Sequence, residues 1–226
     1  MSYQELKLVY NKIFKNPRHY KDDFKYFEKK GNILDVPCGR GFFIENDPNR
    51  IIGIDLNQIA INECLRKGLK AYKENAIKLP FENEFFEGIH CAHLIEHLSP
   101  DDLEKLLREL NRVLKKNGIL ILRSPLLHKF FYNEISHVRP YPPSALMNIL
   151  NVAKGGDPTL FNPDLNFSFV DLKFYYRILF QCQFETSSNP RRYFFQILLR
   201  IIGILLSKIH IKYPEKSEYV LILRKM

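Results

Sequence analysis

The chain has 226 residues, of which 46% are hydrophobic and 26% charged, and its formal net charge is +9. These values exclude a disordered polymer and a pair of full α/β domains, and leave one globular domain with an appendage. Cys38, Cys64, Cys91 and Cys182 lie far apart with no Cys-x-x-Cys pair, which excludes a disulfide framework or a thiolate zinc site and suits a reducing, cytoplasmic setting.

Residues 1–30 read as an N-terminal helical addition, two short helices parted near Asn16-Pro17. Lys7, Lys12 and Lys15 interrupt any apolar leader, so no signal peptide is expected. From residue 31 to 226 the pattern is one domain, with an inserted acceptor-side and basic helical region at about 125–215. Asn32–Val36 is a short buried strand that runs into the turn Cys38-Gly39-Arg40-Gly41, with a helix expected beyond it. Arg50–Ile54 is a second strand, followed by a helix over Gln58–Lys67 that stops at Gly68. Gly88–Ala92 is a third strand. Ser99 is placed to cap a helix that has Pro100 in its first turn and two acids, Asp101 and Asp102, against its dipole. Leu103, Leu106, Leu107, Leu110, Val113 and Leu114 form its apolar face, and Asn117-Gly118 is expected to end it before a strand at Ile119–Leu122. Past Ser124 the rhythm loosens into proline-rich sequence; residues 155–166 read as loop, and Phe167–Tyr176 and Tyr219–Leu223 as strands. Strands alternating with helices point to a parallel sheet covered on both faces.

The chemistry starts at Asp35. A strand that ends in Asp35-Val36-Pro37-Cys38-Gly39-Arg40-Gly41 lets backbone approach a ligand closely. Asp55, at the end of the next strand, sits where a carboxylate takes both hydroxyls of a ribose. Together they indicate an adenosine-type ligand. Ile44 occupies the place of the third glycine in a dinucleotide fingerprint, which disfavours NAD or FAD, and no Gly-Lys-Ser/Thr follows to make a phosphate loop.

Residues 30–125 resemble the class I S-adenosylmethionine-dependent methyltransferases. ILDVPCGRG is similar to their first motif and IIGIDLN to their second. Glu74-Asn75-Ala76 with Lys78-Leu79-Pro80-Phe81 is similar to the segment bordering the adenine, His93-Leu94-Ile95-Glu96-His97-Leu98 to the stretch after the fourth strand, and EYVLILRKM to the terminal strand. The resemblance implies an α/β fold: a Rossmann-like, mostly parallel seven-stranded sheet with helices on both faces and an antiparallel last strand. It implies S-adenosyl-L-methionine as cofactor, held by Asp35, Pro37, Cys38, Gly39, Gly41, Asp55, Leu56, Asn75, Ala76, Ala92 and His93. Two positions depart from the family's pattern. Pro37 replaces its first loop glycine, and Asn75 its adenine-side acid, so that the Asn75 amide oxygen would accept from the adenine amine.

His137-Val138-Arg139-Pro140-Tyr141 is similar to a segment of bacterial and archaeal methyltransferases found with surface-polysaccharide and lipid-linked sugar pathways. That resemblance implies O-methylation of a glycan or lipid-linked acceptor. A sugar hydroxyl needs a base, and His137 is the candidate because histidine titrates near neutrality, the other reading being a loop histidine that only positions the acceptor; Arg139 is the candidate to hold an anionic group on the acceptor. Methylation of another small molecule (a quinone, lipid or amine) and non-catalytic cofactor binding remain as alternatives. His93-x-x-Glu96-His97 has the form of a zinc-peptidase signature, but its place after the fourth strand sets that aside. A divalent-metal reading of these three is weighed too, and the preferred one has no metal: His93 beside the cofactor, Glu96 and His97 holding a short helix. Tyr193–Leu206 is strongly apolar but short and interrupted by Arg200, so it does not read as a membrane span. Residues 191–212, with Arg191, Arg192, Lys208 and Lys212 at the flanks, suit peripheral contact with a bilayer, or packing on the sheet or on a second subunit. Residues 187–226 hold eight Lys or Arg against two Glu, yet no RNA-binding module is present, so nucleic acid is disfavoured.

Overall fold

The computed structural model describes residues 18–128, 131–152, 165–176 and 216–226. In chain order its elements are α1 (Arg18–Phe24), β1 (Ile33–Asp35), β2 (Ile51–Asp55), α2 (Gln58–Arg66), β3 (Ala71–Lys73), β4 (Phe86–Ala92), α3 (Pro100–Val113), β5 (Leu114–Pro125), α4 (Pro143–Ile149), β6 (Phe167–Tyr176) and β7 (Lys216–Lys225), with one-turn 3-10 segments between them. The strands form one seven-stranded sheet in the order β3-β2-β1-β4-β5-β7-β6. Strands β1 to β5 pair in parallel, and β7 lies antiparallel between β5 and β6. This is the expected Rossmann-like sheet with its reversed last strand.

The sheet holds because successive side chains on a strand point to opposite faces, and both faces are covered. Leu34, Leu120 and Leu122 join α3 and α4 in one core, while Ile33, Ile119 and Ile121 join Phe27, Phe43 and α2 in the other. Helix α3 starts where its cap predicts: the Ser99 hydroxyl accepts from the Asp102 N–H at 3.2 Å. Its apolar stripe, Leu103, Leu106, Leu107, Leu110 and Val113, is fully buried, and each leucine contributes about 1.5–3 kcal/mol by leaving water.

Two local expectations are corrected, and one strand is added. The helix does not run to Asn117-Gly118: it stops at Val113, and Leu114 already pairs with Phe86 in β5. Asn117, at φ 63°, lies in the irregular stretch where the register passes from Phe86↔Leu114 to Gly88↔Ile119. No α-helix follows the glycine turn, only the 3-10 turn Ile44–Asn46. The strand β3 was not anticipated; three residues are too few to show periodicity. The boundary near Asn16-Pro17, the loop at 155–166 apart from its last two residues, and the whole of 191–212 lie outside the described residues. Among the described residues, no helix is long and apolar enough to cross a membrane.

Candidate active site

Strand β1 pairs with β2 on one side and β4 on the other, so successive connections leave it in opposite directions. At such a switch point the loops diverge and leave a crevice beyond the carboxyl ends of the strands. Asp35 ends β1, Asp55 ends β2 and Ala92 ends β4, so all three reach that crevice.

The crevice divides into two cavities that share Pro37 and Asp55. One, of about 460 Å³ including space open to solvent, is bordered by Val36, Ile54, Leu56, Asn75, Ala76 and Leu94 among others. The other, of about 620 Å³ on the same measure, is bordered by Tyr20, Asp35, Gly39, His90, Ala92 and His93 among others. The first is lined mainly by apolar side chains, whereas the second adds Asp35, Arg40, His90 and His93.

Asp55 is fixed between them. Its Oδ2 accepts from the Gly39 N–H at 2.9 Å and its Oδ1 from the Asn57 N–H at 2.8 Å, which leaves a second lone pair on each oxygen for a ligand. Gly39 has φ 49° and would meet nothing within 4 Å of an added Cβ, so the loop presents bare backbone to open space. Gly41, at φ 81°, serves packing instead: a Cβ there would stand 2.5 Å from Leu69 Cδ1 and 3.0 Å from Cys64 Sγ. Cys38 is buried behind the loop; burial and the nearby Asp35 push its thiol pKa up, so it stays a thiol. Asn75 is partly committed, because its Oδ1 accepts from the Ile77 N–H at 3.1 Å; the oxygen assigned to an adenine amine retains one lone pair. Leu56 is 64% exposed over the smaller cavity, and Ala76 lines it.

Beneath the crevice runs a chain of charged groups that the sequence did not disclose, buried from Asp35 to Arg123 and partly exposed at Glu218 and His93. His90 Nδ1 meets Asp35 Oδ1 at 2.8 Å, and its ring stacks on Phe43 at 3.9 Å between centroids. His90 Nε2 lies 3.4 Å from Asp23 Oδ2 without hydrogen-bonding geometry. Arg123 donates to both Asp23 oxygens, at 3.0 and 3.1 Å, and to Glu218 Oε1 at 2.8 Å. Glu218 lies 3.2 Å from His93 Nε2, and His93 Nδ1 is 3.4 Å from Glu96 Oε1. Burial raises the Asp35 pKa, and the hydrogen bond from His90 works against that rise. Burial disfavours charge on His93 as well, but the bonds to Glu218 and Glu96 outweigh it and raise its pKa to about 9. The sequence signal for this chain was present but weak: His90 and Arg123-Ser124 are polar interruptions of apolar strands, and Asp23 belongs to a helix read only as an addition.

The acceptor-side segment comes to the same edge. The Val138 and Arg139 N–H groups donate to the Glu96 carbonyl at 2.8 and 3.4 Å, which straps residues 137–139 onto the 3-10 turn Ile95–His97. His137 Nδ1 meets the Phe131 carbonyl at 2.7 Å. Arg139 is exposed, with its guanidinium 5.2 Å above the Tyr141 ring and no carboxylate partner among the described residues. Glu96, His97 and His137 are brought together, a grouping that sequence spacing alone did not show.

The strand order, the glycine loop after β1 and the carboxylate at the end of β2 define the class I methyltransferase fold. Residues 34–122 match the family described as "Methyltransferase domain". A tRNA (carboxymethyluridine(34)-5-O)-methyltransferase of Arabidopsis thaliana is 32% identical over 92 residues, covering 40% of this chain and 23% of that protein. A protein of Aspergillus luteorubrus named probable methyltransferase ltbC is 30% identical over 125 residues, covering 47% and 44%. The chain thus spans less than half the length of these curated relatives. Among solved structures, a SAM dependent methyltransferase from Archaeoglobus fulgidus superposes with a TM-score of 0.66 at 22% identity, over 97% of this chain and 99% of that one. This last likeness bears on the fold.

Proposed function

We propose that the protein is an S-adenosylmethionine-dependent methyltransferase that methylates an oxygen of a sugar or lipid-linked saccharide. The observation that carries the cofactor assignment is Asp55, held by two backbone N–H groups between an apolar and a polar cavity at the switch point of the sheet. The residues present suit this cofactor. Asp55 would take the ribose hydroxyls, Leu56 and Ala76 would border the adenine, and the Gly39 backbone with Ala92 and His93 would face the methionine end. When bound, the cofactor supplies a methyl group on a positively charged sulfur.

The chain's own part is to orient the acceptor and keep water from competing for the methyl. We assign activation of the acceptor hydroxyl to His137. Phe131 engages its Nδ1, and no hydrogen bond to Nε2 occurs among the described residues. Arg139 is the group we assign to an anionic part of the acceptor, such as a phosphate. An amphiphilic acceptor is favoured by the apolar side chains around them: Leu127, Tyr132, Ile135 and Val138 are all more than half exposed on the same segment. The name of the Arabidopsis relative, a 5-O-methyltransferase, also favours oxygen as the receiving atom. Residues 191–212 are proposed to hold the enzyme at a bilayer, where a lipid-linked substrate would be met.

The test is transfer of labelled methyl from the cofactor to a panel of lipid-linked saccharides, quinols and amines, with the product atom identified by mass spectrometry. We expect a sugar O-methyl product whose formation falls at least tenfold in His137→Ala. Label on a quinol or amine alone would overturn the acceptor assignment. A near-normal rate in His137→Ala would remove that residue from the mechanism.

A further inference from the structure

We infer that Glu96, His97 and His137 form a binding site for one divalent transition-metal ion, of the zinc or manganese type, at the acceptor edge of the crevice. One nitrogen of each histidine and one carboxylate oxygen of Glu96 lie within 4.8 Å of one another. The orientation of each group supports a ligand role.

His97 Nδ1 meets the Ser136 carbonyl at 3.0 Å, and His137 Nδ1 meets the Phe131 carbonyl at 2.7 Å. A carbonyl oxygen only accepts, so both Nδ1 atoms carry the hydrogen, and in each neutral ring the lone pair is at Nε2. Carbonyl partners of this kind fix the tautomer and ring direction of metal-binding histidines. The rings are neighbours, with centroids 4.9 Å apart. Glu96 is 1% exposed; its Oε2 accepts from the Ser124 hydroxyl at 3.1 Å, while its buried Oε1 makes no hydrogen bond of regular geometry and has His93 Nδ1 3.4 Å away. A buried carboxylate oxygen with only that distant partner is incompletely satisfied, and a cation completes it.

The backbone holds the trio in place. Glu96 and His97 share a single 3-10 turn, and the strap carrying His137 is tied to the carbonyl of Glu96 itself. Bonds of about 2.1 Å to a tetrahedral ion would put the ligand atoms about 3.4 Å apart, so the three must draw in by up to about 1.4 Å. The two partly exposed histidine side chains can make that movement by small rotations. Two imidazoles and one carboxylate suit zinc, manganese or ferrous iron and disfavour magnesium or calcium, which prefer oxygen. Three protein ligands also leave at least one position open.

The open position gives the site its role, and that role, unlike the binding itself, rests on the methyltransferase reading. An acceptor hydroxyl bound to the ion loses its proton to solvent more readily. The resulting oxygen forms its bond to the methyl carbon as the carbon–sulfur bond breaks, and the sulfur leaves as a neutral thioether. His137 then activates the acceptor through the ion it helps to hold.

The experiment is calorimetric titration of Zn²⁺, Mn²⁺ and Mg²⁺ into the untagged full chain after chelator dialysis, with neither cofactor nor acceptor present. His97→Ala and His137→Ala are titrated alongside, each checked for folding by circular dichroism; both residues are partly exposed, so both variants are expected to fold. We expect one equivalent of Zn²⁺ or Mn²⁺ to bind with a dissociation constant in the micromolar range or below, weakened at least tenfold in each variant, and Mg²⁺ at least tenfold weaker. No binding to wild type, or equal affinity in wild type and His137→Ala, would overturn the site. Cofactor affinity measured on the same samples separates this outcome from failure of the methyltransferase reading.

Discussion

Arg123→Met tests whether the buried charge chain holds the crevice together. Arg123 is 1% exposed and joins three elements: β5, which carries it, α1 through two bonds to Asp23, and β7 through one bond to Glu218. Methionine keeps the apolar stem but removes the cation, leaving the buried Asp23 and the partly buried Glu218 carboxylates to repel each other. Breaking a buried pair by removing one partner costs about 3–5 kcal/mol. At about 2–4 °C per kcal/mol for a chain of this size, the melting temperature should fall by about 6–20 °C. The variant should also lose part of its acid sensitivity. Burial opposes charge on Glu218, but His93 and then Arg123 overcome it and hold its pKa at about 2, below the usual 4.5. A carboxylate with a depressed pKa contributes stability that is present above pH 4.5 and is lost as the pH falls towards 2, here about 3 kcal/mol. The assay is urea unfolding at pH 7 and at several points from 4.5 to 2.5, with Asp23→Asn and the double variant included. Coupling of at least about 1 kcal/mol between positions 23 and 123 is expected. A loss under about 1 kcal/mol in Arg123→Met with an unchanged denaturant slope would refute the reasoning.

Other perturbations follow from the same geometry. Gly39→Ala and Gly41→Ala should separate binding from folding. The first adds only the cost of a left-handed alanine, about 1–2 kcal/mol, but intrudes on the cofactor cleft and should weaken S-adenosylmethionine binding at least tenfold. The second adds collisions with Leu69 and Cys64 and should cost about 2–4 kcal/mol in unfolding experiments. Reversal of that pattern would mean the loop faces have been misassigned. Ser99→Ala removes the α3 cap and should cost about 1 kcal/mol, read as a fall of about 2–4 °C in melting temperature. No measurable change would remove the cap from the account.

Elements with local chemical causes were legible in the sequence. The glycine turn, Asp55, the capped helix α3 and the terminal strand all rest on residues close together in the chain. The end of α3 was not, because Leu114 continues the helical apolar stripe and is instead drawn into β5 by pairing with Phe86. The helix expected after Gly41 gave way to a 3-10 turn, with Ile44 packed in the core against the loop. The buried charge chain was hidden because its partners are remote: Asp23 and Arg123 are 100 positions apart. The same holds for the grouping of His137 with Glu96 and His97, which depends on two backbone bonds that no periodicity reports.

Titration of S-adenosylmethionine into the wild-type protein and Asp55→Ala, followed by calorimetry, most directly tests the adenosyl-binding cleft. A carboxylate that takes two ribose hydroxyls contributes about 1.5–3 kcal/mol, so one equivalent should bind wild type about 10–100 times more tightly than the variant. Equal affinity in the two proteins, or no binding to either, would contradict it.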